Sequence, residues 1–395
     1  MYCTVLKATH SDRCKAQNPQ YGLGLNQLHN FQSMGKGKRH FKGGNSSDEK
    51  RRRKEAADKW RSVRGDAQPG TGAGTGTGTG SRVSGGKSWV LENDKFDAFY
   101  RAQHFIDEGE DWDRFMLHLQ TPLPACFRIC PDYPFANELR DQMLSYVGHK
   151  IEVESGMEIQ PAEQLPWYPN GFGYKLGVDR RAIRKLGVLT DLHKWMIRHT
   201  DNGNITRQEA VSMVPPLALD VQPHHRCLDM CAAPGSKTTQ LLEIVNRSLV
   251  DPDPSRRGLV VANDSDTDRA YMLVHQCKRI NSPLLVVTTH KGQYFPFIAD
   301  DTSSPVTGCP VAFFDRVLCD VPCSGDGTLR KNPAIWKRWS TSMGMTLHPL
   351  QLMIAKRGLQ LLKDDCLMVY STCSMSPYGA LDSIVTTAPI PPLRP

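Results

Sequence analysis

The chain has 395 residues, of which 39% are hydrophobic and 23% charged, and its formal net charge is +8. It contains no run of about 18 apolar residues, so the sequence predicts no membrane span, and its first residues lack the apolar stretch of a secretory signal. The 12 cysteines include no matched pair of C-x2-C steps. We therefore expect reduced thiols, with neither a bound metal nor a disulfide framework.

Residues 1–88 are predicted to form a disordered, basic, Gly/Thr-rich segment. They hold 17 Lys and Arg against 6 Asp and Glu, including the run KRRRK at 50–54. A stretch with so little apolar surface cannot offset the entropy lost on ordering. The basic run is typical of a solubilising or nuclear-import tail, and its charge attracts nucleic acid in a salt-dependent manner. We expect a location in the nucleus or nucleolus rather than the cytoplasm.

Residues 89–215 are predicted to form a small α+β region. Apolar residues at helical spacing indicate several helices, the first of them capped by Asn93 or Asp94. The helices are expected over 93–103, 112–119, 137–146 and 180–199, and the strands near 122–129 and 150–153. The last helix is rich in Arg, Lys and His, and its charged face is expected to contact either solvent or a nucleic acid.

Residues 216–378 alternate short apolar runs with helical segments, which predicts an α/β fold with a doubly wound, Rossmann-like parallel sheet. The strands are expected over 226–230, 258–263, 284–289, 315–320 and 366–370, with helices from about 237, 267 and 348. Ligands of such sheets bind beyond the carboxyl ends of the strands. The residues that follow each strand are therefore the candidates for a functional site.

The first and second strands are followed by features of a nucleotide-type site. A turn of small residues, CAAPG at 231–235, opens directly into a helix. Small residues let a ligand approach the backbone, and the helix N-terminus offers free N–H groups. After the second strand, Asp264 can accept hydrogen bonds from a ribose, whereas Asp266 is better placed to cap the next helix. The turn and the acid together suit an adenosine-containing cofactor.

Two cysteines follow the fourth and fifth strands. Asp320 ends the fourth strand and Cys323 comes just after it, while Cys373 holds the equivalent position after the fifth. Neighbouring parallel strands lie about 4.8 Å apart, so the two thiols and the carboxylate are expected at one edge of the same cleft. A pair of cysteines in this position favours a catalytic function over a purely structural one.

These motifs resemble the Sun-type family of RNA cytosine-5 methyltransferases, most closely its eukaryotic tRNA-modifying branch. The resemblance runs from about Phe96 to Ser376 and is carried by LDMCAAPGSKTTQLLE, RVLCDVPCSGDGTLRKNP and VYSTCS. It implies S-adenosylmethionine as the methyl donor, tRNA or another RNA as the substrate, and an RNA-contacting role for residues 89–215. We expect a monomer that binds neither membrane nor metal.

The resemblance implies a covalent reaction at cytosine. A thiolate that adds to C6 of the ring makes C5 able to attack an activated methyl group, and this role falls to Cys373. Cys323 then assists release of the adduct. Asp320 is expected at the N3/N4 edge of the base, with Lys237 at the base or at the cofactor. The residues expected to line the cofactor pocket are Cys231, Ala232, Ala233, Pro234, Gly235, Ser236, Lys237, Asp264 and Asp320.

Two features depart from the family pattern. Lys291 follows the third strand, where family members usually carry an Asp that contacts the cofactor adenine. Residues 379–395 resemble nothing in the family and are expected to be an irregular tail on a C-terminally truncated core, with the fifth strand left as an open sheet edge. The alternative to an active enzyme is therefore a catalytically impaired RNA-binding remnant, or a truncated gene model of such an enzyme.

Overall fold

The computed structural model describes residues 2–7, 91–148, 151–152, 158–298 and 312–376. The predicted disordered segment beyond residue 7, the predicted tail and the ends of the strand expected at 150–153 lie outside these residues. Within the described ranges, no helix combines the length and the apolar character that a membrane crossing requires. The same residues contain no cluster of three or more His, Cys, Asp or Glu suited to a metal ion.

The described residues form two sheets with helices around them. The strands are β1 (Tyr2–Lys7), β2 (Pro124–Ile129), β3 (Ile151–Glu152), β4 (Glu158–Gln164), β5 (Gly173–Asp179), β6 (Ile205–Arg207), β7 (Arg226–Asp229), β8 (Leu259–Asn263), β9 (Leu285–Thr288), β10 (Phe314–Asp320) and β11 (Leu362–Thr372). The helices are α1 (Asp94–Arg101), α2 (Glu110–Gln120), α3 (Ala136–Leu144), α4 (Arg180–Lys185), α5 (Thr190–Asp201), α6 (Ala210–Ala218), α7 (Ser236–Asn246), α8 (Thr267–Cys277), α9 (Ala334–Arg338) and α10 (Ser342–Leu361).

The main sheet has six strands in the order β1-β11-β10-β7-β8-β9. The five strands from β11 to β9 are parallel, which confirms the predicted doubly wound fold. Successive residues of a strand point to opposite faces. Accordingly, Val317 of β10 packs in one core with Ile354 of α10, whereas Leu318 packs in another core with Leu241 of α7. Both faces of the sheet are therefore covered by helices.

Strand β1 corrects two expectations about the main sheet. It pairs antiparallel with β11, with Tyr2 opposite Thr372 and Lys7 opposite Leu367. Residues 2–7 are therefore ordered, although they were predicted to be disordered, and β11 is not left as an open edge on this side. The physical reason is that an unpaired strand edge presents free N–H and C=O groups. A short segment with a buried Leu6 satisfies those groups.

The second sheet belongs to the N-terminal region and has the order β3-β4-β5-β2-β6. Its strands β4, β5 and β6 were not predicted. The helix expected over 180–199 is in fact two helices, α4 and α5, because the chain makes a short 3-10 turn at Gly187–Leu189 that buries Leu189. The predicted cap of the first helix is confirmed, since the side chain of Asn93 accepts a hydrogen bond from the backbone N–H of Phe96.

Candidate active site

The turn between β7 and α7 brings small residues to the carboxyl edge of the main sheet. Ala232 and Ala233 are buried in it, and a cis peptide bond joins Ala233 to Pro234. Gly235 has a φ of +106°, and a Cβ there would lie 2.9 Å from the Leu273 side chain. Only glycine suits that combination of conformation and crowding. Because α7 begins without a side-chain cap, its first N–H groups are available to a ligand.

Two residues at the end of β8 hold the neighbouring strand ends in place. The Asp264 carboxylate accepts hydrogen bonds from the backbone N–H groups of Ala233 and Asp266, at 3.2 and 3.1 Å. Fully buried Asn263 donates to the carbonyl oxygens of Met230 and His290 and accepts from the His290 N–H. The ends of β7, β8 and β9 are thereby tied together around the turn. Asp266 caps α8 as predicted, by accepting from the N–H of Arg269.

Asp229, the last residue of β7, is a buried carboxyl group that the sequence did not single out. It is 1% exposed, and its Oδ2 accepts a 2.7 Å hydrogen bond from the Thr238 hydroxyl. Its Oδ1 has no hydrogen-bond partner among the described residues. Burial raises the pKa of Asp229 to about 7, and the hydrogen bond from Thr238 offsets part of that effect. An unpaired buried acceptor at a strand end is costly unless a ligand uses it.

Lys237 and Asp320 form an ion pair across the cleft. The Lys237 ammonium lies 2.6 Å from Oδ2 of Asp320, while Oδ1 of Asp320 accepts a 2.7 Å hydrogen bond from the Ser371 hydroxyl. Burial alone lowers the pKa of Lys237, but the charge of Asp320 and its hydrogen bond outweigh burial and raise it. Lys237, in the first turn of α7, is therefore held in its charged form beside the end of β10, and the charge of Cys373 contributes to the same shift in its pKa.

The two predicted cysteines lie in contact beyond the ends of β10 and β11. The sulfur atoms of Cys323 and Cys373 are 3.2 Å apart, and one thiol donates to the other. This hydrogen bond lowers the pKa of Cys323 to about 6 and, together with burial, raises the pKa of Cys373. The physical cause is that the pair shares protons: the first ionisation is favoured by the remaining S–H, and the second is opposed by the charge already present. The pair therefore readily supplies one thiolate.

The residues at this edge fit S-adenosylmethionine. The Gly235 turn leaves room for a close approach to the backbone, and the N-terminus of α7 can receive a carboxylate. The unpaired Oδ1 of Asp229 is an acceptor available to an ammonium group, and Asp264 lies beside the turn as a candidate acceptor for ribose hydroxyls. Lys291, by contrast, is exposed and begins the 3-10 turn at Gly292–Tyr294.

The structure brings most of the predicted site residues together. The turn at 231–237 and Asp264 meet at one point of the cleft through the Ala233–Asp264 hydrogen bond. Lys237, Asp320, Cys323 and Cys373 meet at another. Sequence reasoning missed Asp229, Asn263 and Ser371, all of which are buried. The available signal was their position, because each polar side chain follows a short apolar run at or next to the carboxyl end of a strand.

A parallel sheet with a small-residue turn after its first core strand and an acid after its second is typical of a Rossmann-like fold that binds an adenosine-containing cofactor, and the thiol pair beyond β10 and β11 adds a nucleophile to the same edge. Comparison with known proteins agrees with this class. A family model described as 16S rRNA methyltransferase RsmB/F matches residues 216–386. A crystal structure of the protein PH0851 shares the fold, with a TM-score of 0.50 and 21% identity over 73% of this chain and 55% of that one.

Curated relatives identify the family. A multisite-specific tRNA:(cytosine-C(5))-methyltransferase of Schizosaccharomyces pombe is 45% identical over 76% of this chain and 46% of its own length. A tRNA (cytosine(49)-C(5))-methyltransferase of Pyrococcus abyssi is 30% identical over 68% of this chain and 71% of its own. The chain therefore belongs to the RsmB/F, or Sun-type, family of S-adenosylmethionine-dependent RNA methyltransferases, which confirms the resemblance drawn from its motifs. It spans less than half the length of the fission-yeast relative.

Proposed function

We propose that the chain transfers a methyl group from S-adenosylmethionine to C5 of cytosine in tRNA, through a covalent bond between Cys373 and C6 of the base. The observation that carries this proposal is the 3.2 Å contact between Cys323 and Cys373, beside the ion pair of Lys237 and Asp320. The named relatives methylate C5 of cytosine in tRNA, and the same chemistry requires a nucleophilic thiol with a second proton-accepting group beside it.

Cys373 supplies the nucleophile. When the shared proton rests on Cys323, the Cys373 thiolate adds to C6, an S–C6 bond forms, and the electron pair of the C5–C6 double bond becomes available at C5. Asp320 retains a free lone pair on each oxygen and accepts a hydrogen bond from the exocyclic amine of the base. Lys237 keeps the carboxylate in place and favours the thiolate by its positive charge. When bound, S-adenosylmethionine supplies an electrophilic methyl group to C5.

Release falls to Cys323. After methylation C5 still carries its proton. Once Cys323 has given the shared proton to solvent, its thiolate is placed to take the proton from C5. The electron pair of that C–H bond re-forms the C5–C6 double bond, the S–C6 bond breaks, and Cys373 leaves as a thiolate. The pair is then back in its starting state, with one proton and one thiolate, because the proton taken from C5 replaces the one given to solvent, so no further reactant is needed. Two thiols in contact can perform both halves of this sequence because a proton moves between them over one hydrogen bond.

The test is methylation of tRNA by the purified chain, with radiolabelled S-adenosylmethionine and base-resolved detection of 5-methylcytosine. A second measurement uses RNA that contains 5-fluorocytosine, which cannot lose fluorine as a cation and so retains the adduct. We expect methylated tRNA, and a protein–RNA complex stable to denaturation that mass spectrometry maps to Cys373. RNA binding of equal strength in the parent chain and in Cys373→Ala, with neither product nor adduct in either, would establish the RNA-binding alternative instead.

A further inference from the structure

A buried carboxylate connects the loops that carry the two cysteines. Asp326 is 0% exposed and lies three residues after Cys323. Its Oδ1 accepts a 3.0 Å hydrogen bond from the Ser324 hydroxyl and a 2.9 Å hydrogen bond from the backbone N–H of Met375. Ser324 is the neighbour of Cys323, and Met375 follows Cys373 by two residues. One carboxylate oxygen therefore fixes both loops at once.

Two further contacts between the loops depend on the same close approach. The Ser324 and Ser374 hydroxyls are 2.7 Å apart, and the N–H of Gly327 donates to the carbonyl oxygen of Cys373 at 2.9 Å. A Cβ at Gly327 would lie 2.4 Å from that same carbonyl oxygen, so the contact requires glycine. We call these contacts between the two cysteine loops, made by Asp326, Ser324, Ser374 and Gly327, the clamp. The two sulfur atoms lie at one end of it.

The second oxygen of Asp326 faces the N-terminal region. It accepts hydrogen bonds from the Tyr100 hydroxyl and, at 3.2 Å, from the indole N–H of Trp339. Tyr100 belongs to α1 and is fully buried among aromatic rings that include Trp339, with 5.7 Å between the two ring centroids. A buried carboxylate accepting four hydrogen bonds is well compensated. Its position is consequently set by α1 and the segment after α9 as much as by the cysteine loops.

We propose that Asp326 is a positioning residue that sets the distance between the sulfur atoms of Cys323 and Cys373. Because Tyr100 and Trp339 both donate hydrogen bonds to Asp326, this distance also depends on how α1 packs. The inference rests on the proposed function for its effect on methylation, but the geometric part concerns the thiols alone. Asp326 touches neither sulfur, so its contribution acts through Ser324 and the backbone at Met375. Loss of the carboxylate is expected to slow the chemical step while leaving ligand affinity unchanged, because the cysteines and the binding residues remain.

The first experiment measures thiol proximity without RNA or S-adenosylmethionine. The folded chain is oxidised with diamide, which takes two hydrogens from two thiols, and the Cys323–Cys373 disulfide is quantified by mass spectrometry across pH. We expect the plateau rate at high pH to fall roughly tenfold in Asp326→Asn, since small misplacements of reacting groups have large rate effects. Tyr100→Phe, which leaves the carboxylate intact, is expected to lower it by a smaller factor.

The matched control is Asp97→Asn. Asp97 also lies on α1 and its carboxylate also accepts from an indole N–H, that of Trp112 at 2.9 Å, but no hydrogen bond joins it to either cysteine loop. Asp97→Asn should therefore oxidise at the parent rate. If Asp326→Asn does not fold, Tyr100→Phe carries the test. Parent-like oxidation by Asp326→Asn, or by Tyr100→Phe when only that variant folds, would overturn the proposal.

The second experiment separates the two proposals. Single-turnover methylation should be slower in Asp326→Asn by a factor similar to that for oxidation, with the Kd values for tRNA and S-adenosylmethionine within about twofold of the parent. A parent chain that does not methylate RNA, but whose thiol oxidation depends on Asp326, would remove the proposed function and keep the positioning role. Parent-like single-turnover rates in a folded Asp326→Asn variant would remove the positioning role and keep the function.

Discussion

The sulfur atoms of Cys323 and Cys373 lie 3.2 Å apart, although 50 residues separate them in the chain. The parallel pairing of β10 with β11 places Asp320 opposite Ser371, and Cys323 follows Asp320 by three residues while Cys373 follows Ser371 by two. This register makes the thiol pair a consequence of the sheet itself. The clamp around Asp326 then narrows the distance to that of a hydrogen bond.

The two cysteines should differ in what their loss does. Cys373→Ala is expected to abolish methylation, because the thiol that adds to C6 is removed. Cys323→Ala is expected to accumulate a covalent protein–RNA adduct, since the thiol can still add but the base that releases it is gone. Both are measured by gel electrophoresis under denaturing conditions with labelled tRNA. Cys366→Ala, a change near the middle of β11 and seven residues before Cys373, serves as the control. Normal turnover without adduct in Cys323→Ala would contradict the assigned roles.

The thiol pair should ionise at an unusually low pH. The hydrogen bond between the sulfurs lowers the pKa of Cys323 to about 6, so the thiolate is present above that pH and is lost as the pH falls through it. Alkylation of the pair by iodoacetamide is expected to follow this ionisation in the parent chain. Either single alanine variant should titrate at a higher pH, because its remaining thiolate has lost the S–H donor. Unchanged midpoints in both variants would show that the sulfurs do not share protons.

The core sheet and the placement of the thiols were predictable because both follow from local patterns. Short apolar runs mark β7 to β11, and parallel strands bring their carboxyl ends to one edge, so Asp320, Cys323 and Cys373 could be placed together in advance. Strand β1 could not be predicted in the same way. Its partner is β11, at the other end of the described residues. A segment of six residues carries no pattern from which a partner so distant in the chain could be predicted.

The positioning role proposed for Asp326 could not be predicted from the sequence for a related reason. In the sequence it stands between two glycines in CSGDGT, a composition typical of an exposed turn. Its burial depends on Tyr100 and Trp339, which come from separate parts of the chain and meet only in the folded structure. Strands β4 and β5 were missed because their sequences, EIQPAEQ and GYKLGVD, contain Pro, Gly and charged residues that disfavour strands.

Asp229 should make the stability of the ligand-free chain depend on pH. Burial raises the pKa of its carboxyl group from 3.8 to about 7, so between these values the folded state holds a proton that the unfolded state has lost. Stability from this group is therefore complete below about pH 4 and falls as the pH rises to about 7. Asp229→Asn, which can still accept from Thr238, should flatten this slope. The thermal unfolding midpoints of the parent chain and of Asp229→Asn are measured from pH 5 to 8. If both midpoints change with pH in parallel, Asp229 is not the group responsible for the slope.

A buried ion pair joins Arg128 of the second sheet to Glu243 of α7, a helix that packs on the main sheet. Breaking this pair should lower the free energy of unfolding more than breaking an exposed ion pair does. Arg128 of β2 is 0% exposed and Glu243 of α7 is 2% exposed, and Gln208 and Thr239 complete the hydrogen bonding of the guanidinium. Removing one partner leaves a buried charge without compensation, which costs about 3–5 kcal/mol.

Arg128→Met is therefore expected to lower the free energy of unfolding by about that amount in urea titrations, and the double variant Arg128→Met/Glu243→Gln should recover part of the loss, because it removes the stranded charge. Lys175→Met provides the control, since its ion pair with Glu163 is exposed and exposed pairs contribute at most about 1 kcal/mol. An Arg128→Met loss no larger than that of Lys175→Met at every pH tested would contradict the prediction. A small loss that grows as the pH is raised would show instead that Glu243 takes up a proton in the variant, because that proton must be given up at higher pH.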